Sequence, residues 1–427
     1  MRFAVRIPTL ADVIPWLLLT FLVLFPKGGV KFAGIPLTWG YLFLGLIFIP
    51  LALLRLVRLP MRGSPLTIAV FASLLPFQFL FLFSIWLNGD DGPAVPVALL
   101  TSFIFLPAIF LGVFPAYLHL INYERFRRQF CFCILAAALW GIFLFFYHPL
   151  MGHYIEIPYL TVNIADYGLL ETTKHIDRGG YLKLISTYNN GNLYGVATLI
   201  LFPLYRLLEP KAWKRNVVRI ALVLTLSRTV WFGLIIEQFL SLIVQLPTIL
   251  GSFPRIRPGR SLPQIIAIGA TVCLVLVGLL FNGNGLGFLF NGGLGGREGE
   301  IPAFSQQTLV PTVPVGPIAE LVYASVLASY GIIGLLAFLL IFFMPVILLI
   351  FNPWLAQTPS RRAAVKGLIL YSIVASIDGA ILLIPVLVFY FFCYMVLLHG
   401  LPGESTANRP AAPHLDAENG FARSVLT

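Results

Sequence analysis

The stretch LVYASVLASYGIIGLLAFLLIFFMPVILLIF, residues 321–351, decides the fold class of this chain. It contains no Asp, Glu, Lys or Arg, and it exceeds the about 20 apolar residues that a helix needs to cross a bilayer. No polar break divides it, so we predict one long tilted helix. The whole chain has 59% hydrophobic and 11% charged residues and a mean hydropathy of +0.92. This composition excludes a soluble globular protein and predicts an all-α, polytopic membrane protein.

Apolar segments separated by short polar ones predict about twelve transmembrane helices with two larger outer-face loops. The runs 217–250 and 367–399 are short for two spans each, but each has a polar break where the chain could reverse, at Ser227-Arg228 and at Asp378-Gly379. The predicted spans are residues 11–26, 35–54, 66–87, 95–117, 129–147, 192–207, 217–227, 229–248, 263–282, 321–350, 367–381 and 382–398.

The charges predict the orientation of these spans. Of the 28 lysines and arginines, 21 fall on the side of the N-terminus, which the positive-inside rule assigns to the cytoplasm. The net charge of +11 therefore reports membrane orientation and does not indicate nucleic-acid binding. Both termini are expected in the cytoplasm. The segments are helices 1–5 (1–147), an outer loop (148–191), helices with the Ser-Arg element (192–282), a large outer loop (283–320), C-terminal helices (321–399) and a disordered tail (400–427).

Arg228 is the residue of greatest interest because it interrupts the apolar run 217–250. An arginine at a helix centre costs about 2.5–3.5 kcal/mol on insertion scales, so its presence requires a reason. A guanidinium matches phosphate oxygens, which favours a clamp on the diphosphate of a lipid-linked donor. The alternative is an arginine that snorkels to lipid phosphates, although such a residue should not divide an apolar run at its middle.

Two further arginines are candidate contacts for the same ligand. Arg297 lies in the second outer loop and could bind phosphate or sugar, or it could pair with Glu298 and Glu300 for at most about 1 kcal/mol. Arg178 in the first outer loop is a third candidate. Glu300 is a candidate sugar-binding residue.

Two acids are candidate catalytic residues. Glu320, at the mouth of the tenth predicted span, could act as a general base on a sugar hydroxyl, or it could stabilise the helix N-terminus. Asp378 could support the chemistry, or it could accept hydrogen bonds from the free backbone amides at a break in the helix. Glu237 is nine residues beyond Arg228, about 13.5 Å deeper and on the opposite helix face, so we expect an interhelical contact instead.

Other polar residues give weaker signals. Asn189 and Asn190 could bind sugar or cap the following helix. The cysteines Cys131, Cys133, Cys273 and Cys393 lie in apolar segments and are predicted to be core residues. We predict no metal site and no cofactor. No Walker A, DxD-like, GxSxG or HExxH motif occurs, which argues against ATP hydrolysis, nucleotide-sugar chemistry and zinc hydrolysis.

Several of these elements together resemble the O-antigen ligase/polymerase family of bacterial membrane glycosyltransferases. The similarity covers roughly residues 180–390. It is carried by TYNNGNLYG (187–195), LTLSRTVW (224–231), the Gly296-Arg297 loop, ELVY (320–323) and SYGIIG (329–334).

The resemblance implies transfer of a glycan from an undecaprenyl-diphosphate carrier to an acceptor sugar hydroxyl at the outer face of the bacterial inner membrane. Such enzymes need no metal and no nucleotide, and family arginines matching Arg228 and Arg297 bind the diphosphate. The implied partners are the lipid-linked glycan, membrane lipid and, in some cases, a chain-length regulator, and no nucleic acid.

One departure separates the alternatives within this family. Family ligases have a His-Asn pair where this chain has Glu320-Leu321, which favours an O-antigen or exopolysaccharide polymerase. A ligase that transfers glycan to lipid A-core, with Glu320 doing the work of the histidine, stays open. The alternative from another class is a transporter or flippase for a polyprenol-linked glycan.

Overall fold

The computed structural model describes residues 10–32, 35–58, 64–90, 92–170, 177–178, 181–243, 308–310, 314–315, 321–376 and 378–401. These residues form a predominantly helical protein with two short antiparallel hairpins. The predicted all-α class is confirmed, and apolar helices of membrane-spanning length support the membrane assignment. Predicted span 263–282, including Cys273, lies outside the described residues.

The N-terminal half contains α1 (Leu10–Leu19), α2 (Trp39–Arg58), α3 (Pro65–Asn88), α4 (Ala94–Leu100) and α5 (Tyr123–Met151). A π-helical turn, Thr20–Leu24, extends α1. The turns Thr101–Phe105, Ala108–Val113 and Phe114–Leu120 extend α4. The hairpin β1 (Gly29–Phe32) and β2 (Ile35–Thr38) precedes α2, and a second hairpin pairs β3 (Asp177–Arg178) with β4 (Tyr181–Leu182).

The C-terminal half contains α6 (Gly191–Leu208), α7 (Ala212–Leu224), α8 (Arg228–Ile243), α9 (Val322–Phe351), α10 (Pro359–Val374) and α11 (Ile384–His399). Five helical segments among the described residues are long and apolar enough to cross a membrane, namely Pro65–Asn88, Ala94–Leu120, Tyr123–Met151, Gly191–Leu208 and Val322–Phe351. The count of twelve spans stays a prediction.

The apolar surface has the distribution expected of a protein in lipid. Phe79 and Trp86 on α3 are largely exposed, as are many other large apolar side chains. Helix α6 differs, because it is almost wholly buried and contacts α5, α7, α8, α10 and α11. It is the central helix, which explains why a segment of modest hydropathy is retained inside the bundle.

Both predicted chain reversals are confirmed. Helix α7 ends at Leu224 and α8 begins at Arg228, so the Ser-Arg break is a tight turn. Helix α10 ends at Val374 and α11 begins at Ile384, with a 3-10 turn between them at Gly379–Leu382.

The predicted single span over 321–350 corresponds to α9, Val322–Phe351, but the helix is not regular throughout, because it is kinked at Gly331. This residue has φ 70° and ψ −174° inside α9, which kinks the helix. The amides of Ile332 and Ile333 donate to the carbonyl oxygens of Thr308 and Leu309 at 2.9 and 3.3 Å. The break is tolerated because another segment of the chain accepts these hydrogen bonds, as a low-dielectric environment requires.

The core is rich in aromatic side chains. Phe77 of α3 makes edge contacts with Tyr330 and Phe338 of α9, at ring-centroid distances of 5.4 and 5.0 Å. Cys131, Cys133 and Cys393 are buried free thiols. The prediction that they are core residues is therefore confirmed.

Candidate functional site

Helices α6 and α8 lie side by side and begin at the same end of the bundle. A Cβ atom built on Gly195 of α6 would clash with Val230 of α8, and one built on Gly233 of α8 would clash with Leu199 of α6. The contact between Gly195 and Val230 is followed by the contact between Leu199 and Gly233, which lies further toward the C-terminus of both helices. The two helices are therefore parallel. The end at which α6 and α8 begin is called the loop end below.

Helix α11 also begins at the loop end. A Cβ on Gly367 of α10 would lie 2.6 Å from the carbonyl oxygen of Ile200 and 3.2 Å from Sγ of Cys393, so these three helices touch near their middles. Pro385, near the start of α11, lines the same cavity as Asn189, near the start of α6. Three helix N-termini therefore lie at this end, together with the C-termini of α7 and α10. The amides in the first turn of each helix favour anions locally.

The Ser-Arg turn places Arg228 at the loop end. The turn is tight, with buried Leu226 at φ 50°, a left-handed conformation that is unusual for leucine. The indole of Trp231 donates to the carbonyl of Val223 at 2.8 Å and fixes α8 against the end of α7. Arg228 is half-buried as the first residue of α8. Its guanidinium adds a full positive charge to the potential of the helix N-termini.

The segment 148–191, predicted as the first outer loop and named so below, is bonded directly to this turn. The amide of Leu184 donates to the carbonyl of Leu224 at 3.0 Å. A Cβ on Gly191 would lie 2.8 Å from the carbonyl of Leu184 and 3.4 Å from that of Thr225. The segments 187–195 and 224–231, which are distant in sequence, are therefore neighbours. Lys183 is buried beside them, and the sequence missed it because the loop is polar enough to suggest an exposed lysine.

The two asparagines have distinct structural roles. Asn190 caps α6, since its Oδ1 accepts hydrogen bonds from the amides of Asn192 and Leu193 at 2.9 and 3.2 Å. Asn189 is buried at φ 56° and donates from Nδ2 to the carbonyl of Thr161 at 2.8 Å. The capping alternative is thus confirmed for Asn190, and Asn189 retains a place on a cavity wall.

Asp378 is buried in the break between α10 and α11. Its Oδ1 accepts a hydrogen bond from the amide of Ala380 at 3.0 Å and caps the 3-10 turn. This turn contacts α6. The alternative that Asp378 accepts a hydrogen bond at the helix break is confirmed. Because the turn contacts α6, Asp378 lies toward the loop end.

The segment that precedes α6 is held in place by the buried side chain of Tyr188. Tyr188 donates from its hydroxyl to the carbonyl of Val23 at 3.0 Å. Its surroundings raise the pKa of this phenol well above the usual value, mainly by burial, so it remains a neutral donor. The loop is therefore anchored to the extension of α1 as well as to α7.

The other candidates are only partly described. Arg178 lies in β3 opposite Tyr181, and its side chain lies outside the described part of the chain. Arg297, Glu300 and Glu320 lie outside the described residues altogether. Whether Arg228 and Arg297 converge therefore stays a prediction.

Glu237 is remote from the loop end and forms an interhelical ion pair, as predicted. Its carboxylate accepts a hydrogen bond from Arg206 of α6 at 2.6 Å. Ser241 also donates to Glu237 and in turn accepts from Lys366 of α10, each at 3.1 Å. This cluster ties α6, α8 and α10 together near the end opposite the loop end.

A polar cavity also lies at the loop end, where the sequence predicted none. It has a volume of about 240 Å³ and lies between the β1–β2 hairpin, the first outer loop and the start of α11. The hairpin residues fall partly in a predicted span, 35–54, so they gave no signal of a binding surface. In the described part of the chain, no group of three or more His, Cys, Asp or Glu side chains could hold a metal ion.

Comparison of the chain with protein-family models and with curated proteins gives no match.

Proposed function

We propose that this protein is a membrane glycosyltransferase that polymerises undecaprenyl-diphosphate-linked oligosaccharide repeat units. The observation that carries the proposal is the neighbouring position of segments 187–195 and 224–231 at the loop end. The resemblance to the O-antigen ligase/polymerase family rests on these same two segments. Their contact puts Arg228 beside the N-termini of two parallel helices, a favourable site for a diphosphate.

The distribution of charge supports a periplasmic position for the loop end. Arg127 donates to the carbonyl of Leu208 and Arg361 to that of Leu398, so both arginines lie at the opposite end. Other basic residues of the helices or connections there are Arg125, Arg128, Arg206, Lys211, Lys214, Arg215 and Arg362. By the positive-inside rule this basic end faces the cytoplasm and the loop end faces outward.

In the proposed reaction, the oxygen of an acceptor sugar hydroxyl attacks the anomeric carbon of the donor glycan. The bond between that carbon and the phosphate oxygen breaks, and undecaprenyl diphosphate leaves with the electron pair. Arg228 stabilises the charge that develops on this leaving group, together with Arg297 and Arg178 in the proposed scheme. Glu320 accepts the hydroxyl proton, Asp378 supports the site, and Asn189 and Glu300 are proposed contacts to sugar. Asn190, whose Oδ1 caps α6, is proposed to contact sugar through Nδ2.

A transporter for a polyprenol-linked glycan is the second candidate, and one observation favours it. The Glu237–Arg206 pair and Lys366 put charged groups between buried helices, as transport pathways often do. The cluster lies away from Arg228, and Glu237 is already paired within it. A detergent-solubilised protein separates the two candidates, because a transferase lengthens a lipid-linked glycan without a sealed membrane and a transporter does not.

The test of the proposal is elongation of lipid-linked repeat units by purified protein, with product length read on a gel. We expect Arg228→Ala to lower the elongation rate by about 100-fold, the usual cost of losing a donor to developing negative charge. Arg228→Lys should recover part of the rate, because a lysine supplies charge without the bidentate fork.

The matched control is Arg215→Ala, which removes another half-buried arginine at the opposite end. Its elongation rate should equal that of the unmodified protein. Normal polymer from Arg228→Ala would refute the proposed role. Glycan transferred to lipid A-core in place of a growing carrier-linked chain would instead identify a ligase.

A further inference from the structure

The polar side chains that line the cavity at the loop end come from three parts of the chain. Lys31 and Thr38 come from the β1–β2 hairpin, Asn163 and Asp166 from the first outer loop, and Asn189 from the start of α6. We call this cavity the hairpin pocket. Its volume of about 240 Å³ is below the about 300–1,000 Å³ of sites for drug-sized ligands, so it suits a single small unit.

Two buried polar atoms on its wall have no hydrogen-bond partner among the residues that the structure describes. Thr38 is 4% exposed and Asn163 is 5% exposed. The Thr38 hydroxyl and Nδ2 of Asn163 make no hydrogen bond to any described residue. Buried polar groups are nearly always hydrogen-bonded, so two in one cavity wall indicate that a polar ligand or water occupies the cavity.

The pocket is held in shape before any ligand enters. The indole of Trp39 donates to the carbonyl of Tyr159 at 2.6 Å, and Gly29 forms a β-bridge with Asn163. Asn189 bonds the carbonyl of Thr161 at 2.8 Å, which joins the loop to α6. Because the hairpin, the loop and α6 are bonded to one another, little conformational entropy would be lost when a ligand binds at this site.

The charges on the wall favour an acidic ligand. Lys27 and Lys31 both line the cavity, together with the carboxylate of Asp166. Lys31 and Asp166 are 3.9 Å apart, and their side chains are 40% and 46% exposed. A pair so long and so exposed is weak, so Lys31 can exchange Asp166 for a ligand carboxylate at little cost. The ammonium of Lys31 and Nδ2 of Asn163 can then donate hydrogen bonds to carboxylate or hydroxyl oxygens of the ligand.

The remaining wall is apolar and distinguishes a sugar from a bare phosphate. Pro36, Val162, Leu170 and Pro385 line the cavity, with Tyr41 beside them. Such surfaces contact the C–H face of a pyranose ring but offer nothing to inorganic phosphate. From this combination we propose that the hairpin pocket binds one acidic monosaccharide unit, a uronic acid, of the glycan handled at the loop end.

This proposal rests on the proposed function only for its account of why a glycan is present. A binding measurement keeps the two separate, because it needs no turnover. Loss of elongation in Arg228→Ala leaves the pocket untouched, and failure of a uronic acid to bind leaves the transferase proposal standing.

The test uses the full-length protein in detergent and titrates methyl glucuronide, methyl glucoside and inorganic phosphate by saturation-transfer NMR. We expect the glucuronide to bind at least about tenfold more tightly than the glucoside, as one added charge-assisted hydrogen bond implies. Lys31→Gln and Asn163→Asp should each weaken glucuronide binding by about tenfold or more. Asn163→Asp keeps the side-chain oxygen that accepts from the amide of Ala165 at 3.1 Å, so it preserves the local turn.

Two further variants sharpen the result. Asp166→Asn removes a competing carboxylate and should tighten glucuronide binding. Lys211→Gln changes an exposed lysine at the basic end and should leave binding unchanged. Equal affinity for glucoside and glucuronide, equal affinity for phosphate, or unaltered binding by Lys31→Gln and Asn163→Asp would each overturn the proposal. Thermal unfolding confirms that each variant is folded.

Discussion

The guanidinium of Arg206 donates to the carboxylate of Glu237 at 2.6 Å and joins α6 to α8. The side chain of Glu237 is only 1% exposed. The pair holds in register the same two helices whose opposite ends form the proposed diphosphate site. It therefore contributes to the position of Arg228 from a distance.

Glu237→Ala should destabilise the protein by about 3 kcal/mol, because removing one partner leaves an uncompensated charge between helices. The estimate is at the lower end of the range for buried pairs, since the side chain of Arg206 is 23% exposed. Thermal unfolding in detergent measures the effect. In the double variant Glu237→Leu with Arg206→Met, much of the lost stability should return; equal loss in both variants would contradict this account.

Gly331→Ala should destabilise by about 2 kcal/mol, because an alanine resists a φ of 70° and its Cβ would lie 2.7 Å from the carbonyl of Thr308. The control is Gly45→Ala in α2, where a Cβ meets no atom within 4 Å. That change should be neutral or stabilising by about 0.5 kcal/mol. Equal melting temperatures for the two variants would show that the kink carries no strain.

Asn190→Ala should cost about 1 kcal/mol, because the first amides of α6 lose their side-chain acceptor. Asn190→Asp keeps an acceptor oxygen and should unfold at nearly the temperature of the unmodified protein. A comparison of the two melting curves isolates the cap. An aspartate variant as unstable as the alanine variant would contradict the capping role.

Asp378→Asn separates charge from capping. The amide oxygen can still accept from Ala380, so stability should change by less than about 0.5 kcal/mol. If the carboxylate supports glycosyl transfer, the elongation rate should fall by about tenfold. Asp378→Ala should lower both stability and rate. If the Asn variant has full activity, Asp378 caps the helix break and has no role in glycosyl transfer.

Removal of metal should not affect turnover, because the proposed reaction stabilises the leaving diphosphate with guanidinium groups. Purified protein treated with excess EDTA and then dialysed should elongate glycan at its original rate. A rate that falls with EDTA and returns with Mg²⁺ would count against the proposed chemistry.

The sequence predicted reversals at Ser227-Arg228 and Asp378-Gly379, and the structure places them at residues 225–227 and 375–383, because a polar break in an apolar run is a local signal. It also excluded a direct pair between Glu237 and Arg228, since helical geometry alone separates residues nine positions apart. It could not find the kink at Gly331, because that break depends on carbonyl groups of Thr308 and Leu309 from another segment. Nor could it find the hairpin pocket, whose wall combines residues near positions 31, 163 and 189.

Composition and the polar breaks in apolar runs by themselves predicted a helical chain with membrane-length apolar segments and the two reversals near Ser227-Arg228 and Asp378-Gly379, because the hydropathy of a segment is a local property. Only the tertiary structure decided that α6 and α8 run parallel, that Arg228 begins α8 beside Gly191, and that Asn190 and Asp378 are caps. Those features depend on packing between distant segments, where side-chain shape and hydrogen bonding select one arrangement from many of equal hydropathy.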